Sequence, residues 1–215
     1  MSSDLQSSAA ALIREDVIDA AAELVAEHGY DRLNMRALAT RCGVATMTLY
    51  RHVRTKEDLM GALADRVLGE LTLPTPGTLT WQDEIAAVFR SVHDLLLAHP
   101  DLVETAAKQH VAGEAAYRGA EVVLDALRRA GIEGEAAASA FATLFAYTLG
   151  FVQQQLHTSG GASLAHRHAV LERLPVDDFE NLRRLGGVFL LRHSDRHFED
   201  GLDVIIRGLA TTADA

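Results

Sequence analysis

The chain has 215 residues and a formal net charge of −10 at pH 7, with 48% hydrophobic and 23% charged residues, which suits a soluble globular protein with a sizeable core. Its single cysteine excludes an internal disulfide framework and a cysteine-based zinc site. The sequence shows neither a signal peptide nor a run of about 18 apolar residues, so we expect a cytoplasmic protein without a membrane span.

Apolar residues recur at three- and four-residue spacing along almost the whole chain, and the sequence therefore predicts an all-α fold. Asn34 and Thr55 are placed to cap helices, and Gly29 and Gly43 are placed to end them. We predict helices at residues 10–28, 34–41, 46–52 and 56–71. The first three form an N-terminal domain, residues 1–73, and the fourth links this domain to the rest of the chain.

Pro74, Pro76 and Gly77 indicate a linker, after which a second, larger helical domain is predicted over residues 78–215. Thr80 is placed to cap its first helix. We predict helices at residues 81–98, 101–110, 113–130 and 135–157, a helical pattern that ends at 173, and a last helix at 195–209. Residues 179–191 are ambiguous because two adjacent glycines, at 186 and 187, weaken any helix there.

Residues 32–56 form an acid-free basic window. They contain six Lys or Arg and no Asp or Glu, in a chain that carries 30 acids against 20 bases. A surface that approaches phosphates needs such a window because each carboxylate would repel the ligand. Residues 57–215, by contrast, hold 13 bases and 23 acids. Only the N-terminal part is therefore expected to approach nucleic acid.

The same window has the spacing of a helix-turn-helix. Ala39 is small enough for a second helix to cross it, and Gly43, four residues later, can adopt the positive φ of a sharp turn. Val44, Leu49 and Val53 supply the apolar inner face. An ordinary helical hairpin has the same pattern, but the absence of acids favours a DNA-binding motif.

In this motif the second helix enters the major groove, with its N-terminal residues against the base edges. We expect Thr46, Met47 and Thr48 to contact bases, and Arg36 to reach a guanine or a phosphate. Candidate phosphate contacts, which set position rather than sequence preference, are Tyr50, Arg51, His52 and Lys56. The alternative is a solvated basic face, with Met47 and Tyr50 packed beneath it.

The segment ATMTLYRHVRTKEDL, residues 45–59, resembles the tetracycline repressor (TetR) family of bacterial regulators, and the resemblance extends over residues 10–71. It implies a ligand-responsive homodimer, in most members a repressor, that binds pseudo-palindromic double-stranded operator DNA. It also implies a three-helix DNA-binding domain and a larger all-helical domain for effector binding and dimerisation. Many members have a capping Ser where this chain has Ala45, and we expect Thr46 to take over that cap.

The C-terminal part resembles the tetracycline repressor subgroup of this family. Residues 147–150 and 198–209 are similar to its dimer-forming helices, which implies a homodimer through the helices near 135–157 and 195–209. The positions that match its metal ligands are Ala107, His110 and Gln154. Only one of these is a good metal ligand, so we expect no magnesium–tetracycline effector and no cofactor. The identity of the small-molecule effector stays open.

Aromatic residues are scarce, at 6%, yet several cluster on the helix predicted at 135–157 and on its neighbours. One interpretation is an apolar ligand pocket with a few polar groups. Its candidate residues are Phe89, His93, Gln109, His110, Tyr117, Phe141, Phe145, Thr148 and Gln153. The other interpretation is that these side chains form ordinary core.

Ten histidines suggest a metal site, and His193 and His197 lie four residues apart. Because Ser194 and Asp195 look like a helix start, His193 precedes the helix, and we predict no metal. The chain has no nucleophile motif and no Gly-rich phosphate loop, so we expect no enzyme. The alternatives are a constitutive DNA-binding protein without an effector, a small helical enzyme, and an activator.

Overall fold

The computed structural model describes residues 13–29, 32–108, 113–157, 161–190 and 194–213, and these residues form helices and turns with no strand among them. The α-helices are α1 (Arg14–His28), α2 (Met35–Cys42), α3 (Thr46–Leu49), α4 (Lys56–Leu68), α5 (Trp81–Ala98), α6 (Pro100–Lys108), α7 (Glu114–Arg129), α8 (Gly134–His157), α9 (Gly161–Arg173), α10 (Glu180–Leu185) and α11 (Asp195–Ala213). A 3₁₀ helix, Gly186–Leu190, follows α10. The predicted all-α fold is confirmed.

The chain divides into two compact units. The N-terminal unit comprises residues 1–70 and 104–117, and the C-terminal unit comprises residues 71–103 and 118–215. The segment 104–117 thus belongs with the N-terminal unit, although the sequence placed it in the second domain. The domain limits 1–73 and 78–215 remain a prediction.

The N-terminal unit is built on a small apolar core to which α1, α2, α3 and α4 all contribute. Its buried members are Val17, Ala21, Leu24, Leu33, Leu38, Ala39, Leu49, Val53, Leu59 and Leu63. Helices as short as α2 and α3 are marginal by themselves in water, because nucleating a helix costs more than one turn returns. Burial of this apolar surface therefore holds them in place.

Side-chain caps begin three helices where the sequence predicted them. Asn34, Thr55 and Thr80 each accept the backbone N–H of the residue three positions later, at 2.9, 3.0 and 3.2 Å. Each bond satisfies a first-turn amide that has no partner within its own helix. The starts of α2, α4 and α5 are thus fixed by local chemistry.

Helix α3 differs from its prediction at both ends. It ends at Leu49 instead of residue 52, because the N–H groups of Arg51 and His52 donate to carbonyls three residues earlier, those of Thr48 and Leu49, at 3.3 and 2.8 Å, and so form turns. The N-cap is Ala45, whose carbonyl accepts the Thr48 N–H at 2.8 Å without any side-chain cap. The expectation that Thr46 takes over the cap was wrong, since Thr46 is already inside the helix.

Helices α5, α8 and α11 pack against one another in the C-terminal unit. Their fully buried side chains are Glu84, Ile85, Phe89, Leu144, Thr148, Val152, Phe198 and Leu202. The segment that the sequence left ambiguous forms α10 and the 3₁₀ helix. The last helix extends to Ala213, beyond its predicted end at 209.

A buried acid, Glu84, fixes the chain that precedes α5. Its Oε1 accepts the N–H of Gly77 at 2.5 Å and that of Leu79 at 3.5 Å, and its Oε2 pairs with Arg129 of α7. Burying a carboxylate without partners destabilises a protein by roughly several kcal/mol. The three donors around Glu84 offset this cost. The linker predicted around Gly77 is therefore anchored at this point to α5 and α7.

Helix α8 is long and apolar enough to cross a membrane by length and composition alone, with a window of mean hydropathy 1.3. The sequence predicted no membrane span because no uninterrupted apolar run reaches about 18 residues, whereas α8 reaches this hydropathy with polar residues among its apolar ones. The finding is weak evidence for a membrane, because the core helix of a soluble protein passes the same test. Only 33% of that window is buried within the chain, so much of α8 presents small and apolar side chains at the surface.

Candidate nucleic-acid interface and C-terminal core

The turn between α2 and α3 has the geometry of a helix-turn-helix. Gly43 adopts φ +66°, a left-handed conformation that a side chain would strain, and the Val44 N–H donates to the Ala39 carbonyl at 3.0 Å. Leu49 and Val53 are fully buried beneath α3. This anchoring leaves the opposite side of α3 free to meet a ligand.

The outer side of α3 carries the residues that the sequence proposed as base contacts. Met47 is 77% exposed, and Thr46 and Thr48 are half-buried. Neither threonine hydroxyl bonds to a described residue, nor does the exposed Arg36 guanidinium on α2. Tyr50 is 43% exposed, so it is not packed beneath a basic face. These donors and apolar groups are presented to solvent.

The six bases of the acid-free window fall into two classes. Arg41 is bound to α1, where it pairs with Glu27 and, at 3.1 Å, with Glu23. The hydrogen bond from Arg41 lowers the pKa of the Glu27 carboxyl, against a smaller effect of desolvation. Within the ranges that the structure describes, the other five form no ion pair: Arg32, Arg36, Arg51, Arg54 and Lys56. Arg41 is therefore neutralised, and the remaining five create the positive potential.

Two of those five were not singled out from the sequence. Arg32 and Arg54 flank the helix-turn-helix and are exposed. Their position inside the acid-free window could have identified them as candidate DNA contacts. Whether each base is free to bind DNA, however, depends on which carboxylates lie near it in the folded chain. The half-buried His52, which the sequence assigned to phosphate contact, has its carbonyl bound by Arg14 at 3.2 Å.

The pocket candidates of the C-terminal helices do not form one set. Phe89, Phe141 and Phe145 lie in a row, with 6.3 Å between successive ring centroids. Thr148 is fully buried, and its hydroxyl donates to the Leu144 carbonyl of its own helix at 2.9 Å. Tyr117 and Gln153 are exposed, and Gln109 and His110 lie outside the described residues. The ligand pocket remains a prediction.

His93 belongs to a second aromatic group. Its buried ring stacks on Phe198 of α11 with centroids 4.1 Å apart, and it lies 6.3 Å from Phe151 of α8. Its Nδ1 and Nε2 meet carboxylate and amide oxygens of Asp94 and Gln155, at 3.1 and 3.2 Å. His93 thus has polar partners on both ring nitrogens and joins α5 to α8 and α11.

Tyr147 joins the same group and sits close to the backbone of α11. Its hydroxyl donates to the Phe198 carbonyl at 2.9 Å and lies 3.3 Å from that of His197. Burial, with smaller effects of Asp200 and Glu199, raises the pKa of this phenol to about 12. A Cβ at Gly201 would lie 2.1 Å from the phenol oxygen, so any side chain there would displace the Tyr147 ring.

The described residues contain no group of three or more His, Cys, Asp or Glu side chains close enough to hold a metal ion. His193, one of the pair considered from the sequence, lies outside the described residues. His197 interacts instead with its neighbour, since its Nδ1 lies 2.7 Å from the Ser194 hydroxyl.

Two protein-family models match the chain. The model described as "Bacterial regulatory proteins, tetR family" matches residues 17–63. The model described as "Tetracyclin repressor-like, C-terminal domain" matches residues 73–213. The two matches account for the helix-turn-helix and for most of the remaining helices.

Individual proteins agree with these matches. An HTH-type transcriptional regulator of Saccharopolyspora erythraea is 31% identical, with 94% of this chain and 86% of the relative covered. The class D tetracycline repressor protein of Escherichia coli is 34% identical, with 93% and 89% covered. The crystal structure of the TetR family protein ActR of Streptomyces coelicolor in complex with actinorhodin superimposes with a TM-score of 0.84, at 30% identity, covering 95% of this chain and 99% of that one.

The two classes of arginine predict different salt dependences. Arg51→Ala should make the slope of log K against log salt shallower by about 0.9 on non-specific duplex DNA, because one phosphate contact is lost. Arg41→Ala should leave this slope unchanged, because its charge is already paired with Glu23 and Glu27. Fluorescence anisotropy between about 50 and 200 mM salt measures both slopes. Equal slopes for the two variants would contradict the assignment.

Proposed function

This chain belongs to the TetR family of bacterial transcriptional regulators, and on that premise we propose that it is a homodimeric repressor which a small organic molecule releases from its operator. The main support for DNA binding is the basic face around α3, whose bases have no carboxylate partner among the described residues. The buried side chains of Leu49 and Val53 fix this face to the core. The matching relatives are named as regulators and repressors, and we propose a cytoplasmic protein without enzymatic activity.

The N-terminal residues 1–73 are proposed to hold the operator. The N-terminal half of α3 enters the major groove, where Thr46, Met47 and Thr48 meet base edges and thymine methyl groups. Arg36, exposed on the preceding helix and without an ion pair to a described residue, reaches a guanine. The phosphate contacts, supplied from the same face, are Tyr50, Arg51, His52, Arg54 and Lys56.

Residues 78–215 are proposed to form the dimer and the effector site. The outer face of α8 carries Ala138, Ala142 and Ala146, all exposed and spaced by one turn, and α11 exposes Val204 and Gly208. Small side chains allow two helices to approach closely. A two-fold pairing of α8 and α11 covers this apolar surface and places two recognition helices on one pseudo-palindromic operator.

The effector is proposed to be a planar, largely apolar molecule bound beside the row of Phe89, Phe141 and Phe145. The rings of Phe141 and Phe145 are only partly buried and stack with an interplanar angle of 11°, so a flat ligand can extend the stack. The relative ActR has been solved with actinorhodin. Release requires the ligand to bind the DNA-free conformer more tightly than the DNA-bound one.

Arg36→Ala tests the base-reading role. Loss of a base contact removes about 1–3 kcal/mol of discrimination, so affinity for an operator selected from a random duplex pool should fall about tenfold to a hundredfold. Non-specific affinity should change far less. Lys56→Ala is the control, because loss of a phosphate contact weakens both kinds of DNA to a similar degree. Equal loss on both DNAs for Arg36→Ala would remove its base-reading role.

Val204→Asp tests the dimer, because it places a charge in the proposed α8–α11 interface. Sedimentation velocity at micromolar concentration should show a dimer for the wild type and a monomer for the variant. Val188→Asp is the matched control: Val188 is 64% exposed, compared with 68% for Val204, but lies on the 3₁₀ helix. A monomeric wild type would contradict the proposed assembly.

Phe141→Ala tests the effector site. Compounds that raise the melting temperature of the wild type and release labelled operator should do both less well with this variant, because the ring on which they stack is gone. Operator affinity without compound should stay the same. Phe179→Ala, which alters a partly exposed aromatic residue outside the row, is the control. A compound that acts equally on wild type and Phe141→Ala binds elsewhere, and absence of any releasing compound favours a constitutive regulator.

A further inference from the structure

Three turn bonds shape the segment that follows α3: the N–H groups of Arg51, His52 and Val53 donate to the carbonyls of Thr48, Leu49 and Leu49, at 3.3, 2.8 and 2.9 Å. Helix α3 has four residues and no side-chain cap, and residues 50–52 form turns. Leu49 and Val53 anchor its inner side. Residues 50, 51 and 54 are exposed. The turn bonds are all local, so they do not relate this segment to other helices.

One ion pair binds this backbone on both sides of Val53. Arg14, the first residue of α1, donates from Nε to the His52 carbonyl at 3.2 Å and from Nη2 to Asp58 Oδ1 at 2.7 Å. Asp58 Oδ2 accepts the Arg54 N–H at 2.9 Å. The guanidinium and the carboxylate thus hold the carbonyl of residue 52 and the amide of residue 54 at once.

The backbone of Asp58 is held at the start of α4, because its N–H donates to the cap oxygen of Thr55 at 3.0 Å. Arg14 is fixed by its place in the first turn of α1. The two partners come from helices that share the buried core, so the pair links the backbone of residues 50–54, the recognition segment, to that core.

We infer that Arg14 and Asp58 are positioning residues for operator reading: they aim the segment 50–54 and do not themselves contact DNA. The inference rests on the proposed function. A carboxylate 2.7 Å from the guanidinium cancels the charge of Arg14 and would repel a phosphate, so Arg14 is not a phosphate contact. Sequence-specific binding depends on the orientation of residues 50–54 against the DNA. Non-specific binding depends on the number of positive charges and is little affected by a small change in that orientation.

The fold contains a matched control. Asp19 of α1 and Arg66 of α4 form a second ion pair between the same two helices. Their side chains are each 53% exposed, compared with 49% for Arg14 and 33% for Asp58. This second pair makes no described contact with residues 50–54. Removing Arg14 or Arg66 therefore removes one charge and one link between α1 and α4. Only the removal of Arg14 also breaks a contact with residues 50–54.

The experiment compares Arg14→Met and Arg66→Met in the full-length protein. The probes are a duplex enriched by the wild type from a random pool and a scrambled duplex of the same length. For Arg14→Met we expect about a tenfold loss of affinity for the enriched duplex, which corresponds to about 1.4 kcal/mol. We expect less than about a twofold loss on the scrambled duplex and an unchanged salt slope, because no phosphate contact is lost. Arg66→Met should bind both duplexes as the wild type does.

Asp58→Asn is the second variant, because the amide oxygen still accepts the Arg54 N–H while the ion pair is lost. The ratio of its affinities for the enriched and the scrambled duplex should also fall, and this ratio is the readout because loss of the carboxylate charge strengthens binding to both duplexes. Circular dichroism and melting temperature confirm that each variant is folded.

If Arg14→Met and Arg66→Met bind the enriched duplex equally, the positioning role is overturned. If Arg14→Met flattens the salt slope by about 0.9, Arg14 is a phosphate contact and the inference is likewise overturned. If the wild type enriches no duplex at all, the proposed function itself fails.

Discussion

A helix of four residues cannot maintain itself in water, because the first turn of a helix costs more conformational entropy than its few hydrogen bonds return. The recognition helix α3 is such a helix, and the organisation of the N-terminal unit follows from this constraint. Leu49 and Val53 tie it to a core shared with α1, α2 and α4. The conformation of Gly43 sets its angle, and bonds from Arg14 and Asp58 hold the chain that leaves it. The surface proposed to meet DNA is thus held in place by its neighbours, although it has little regular structure of its own.

Electrostatics sort the charged residues of this unit into those that hold the fold and those that face outward. Arg14, Arg41 and Arg66 each have a carboxylate partner on another helix. The arginines and the lysine around α3 have no such partner among the described residues. An acidic chain can therefore present a basic face, because Glu23, Glu27 and Asp58 near the motif are already paired with Arg41 and Arg14.

The sequence predicted features that depend on neighbouring residues and missed those that join residues far apart in the chain. The caps at Asn34, Thr55 and Thr80 and the turn at Gly43 were predictable, because each depends on residues within four positions. The pairing of Arg41 with Glu27 and the bond from Arg14 to His52 join positions 14 and 38 apart, and no local pattern encodes them. The early end of α3 was missed for another reason: over so few residues, the apolar spacing of an α-helix is almost the same as that of turns closed by bonds three residues apart.

The close contact of the Tyr147 ring with α11 links the evolution of positions 147 and 201. The phenol occupies the space that the missing side chain of Gly201 leaves, and its hydroxyl bonds to the carbonyl of Phe198. An alanine at position 201 is compatible with the helix but not with this phenol, and a smaller residue at 147 would leave a void beside the glycine. Neither position can drift alone without passing through a less stable intermediate. Among descendants of this chain, residues 147 and 201 are therefore expected to change together or to stay as they are.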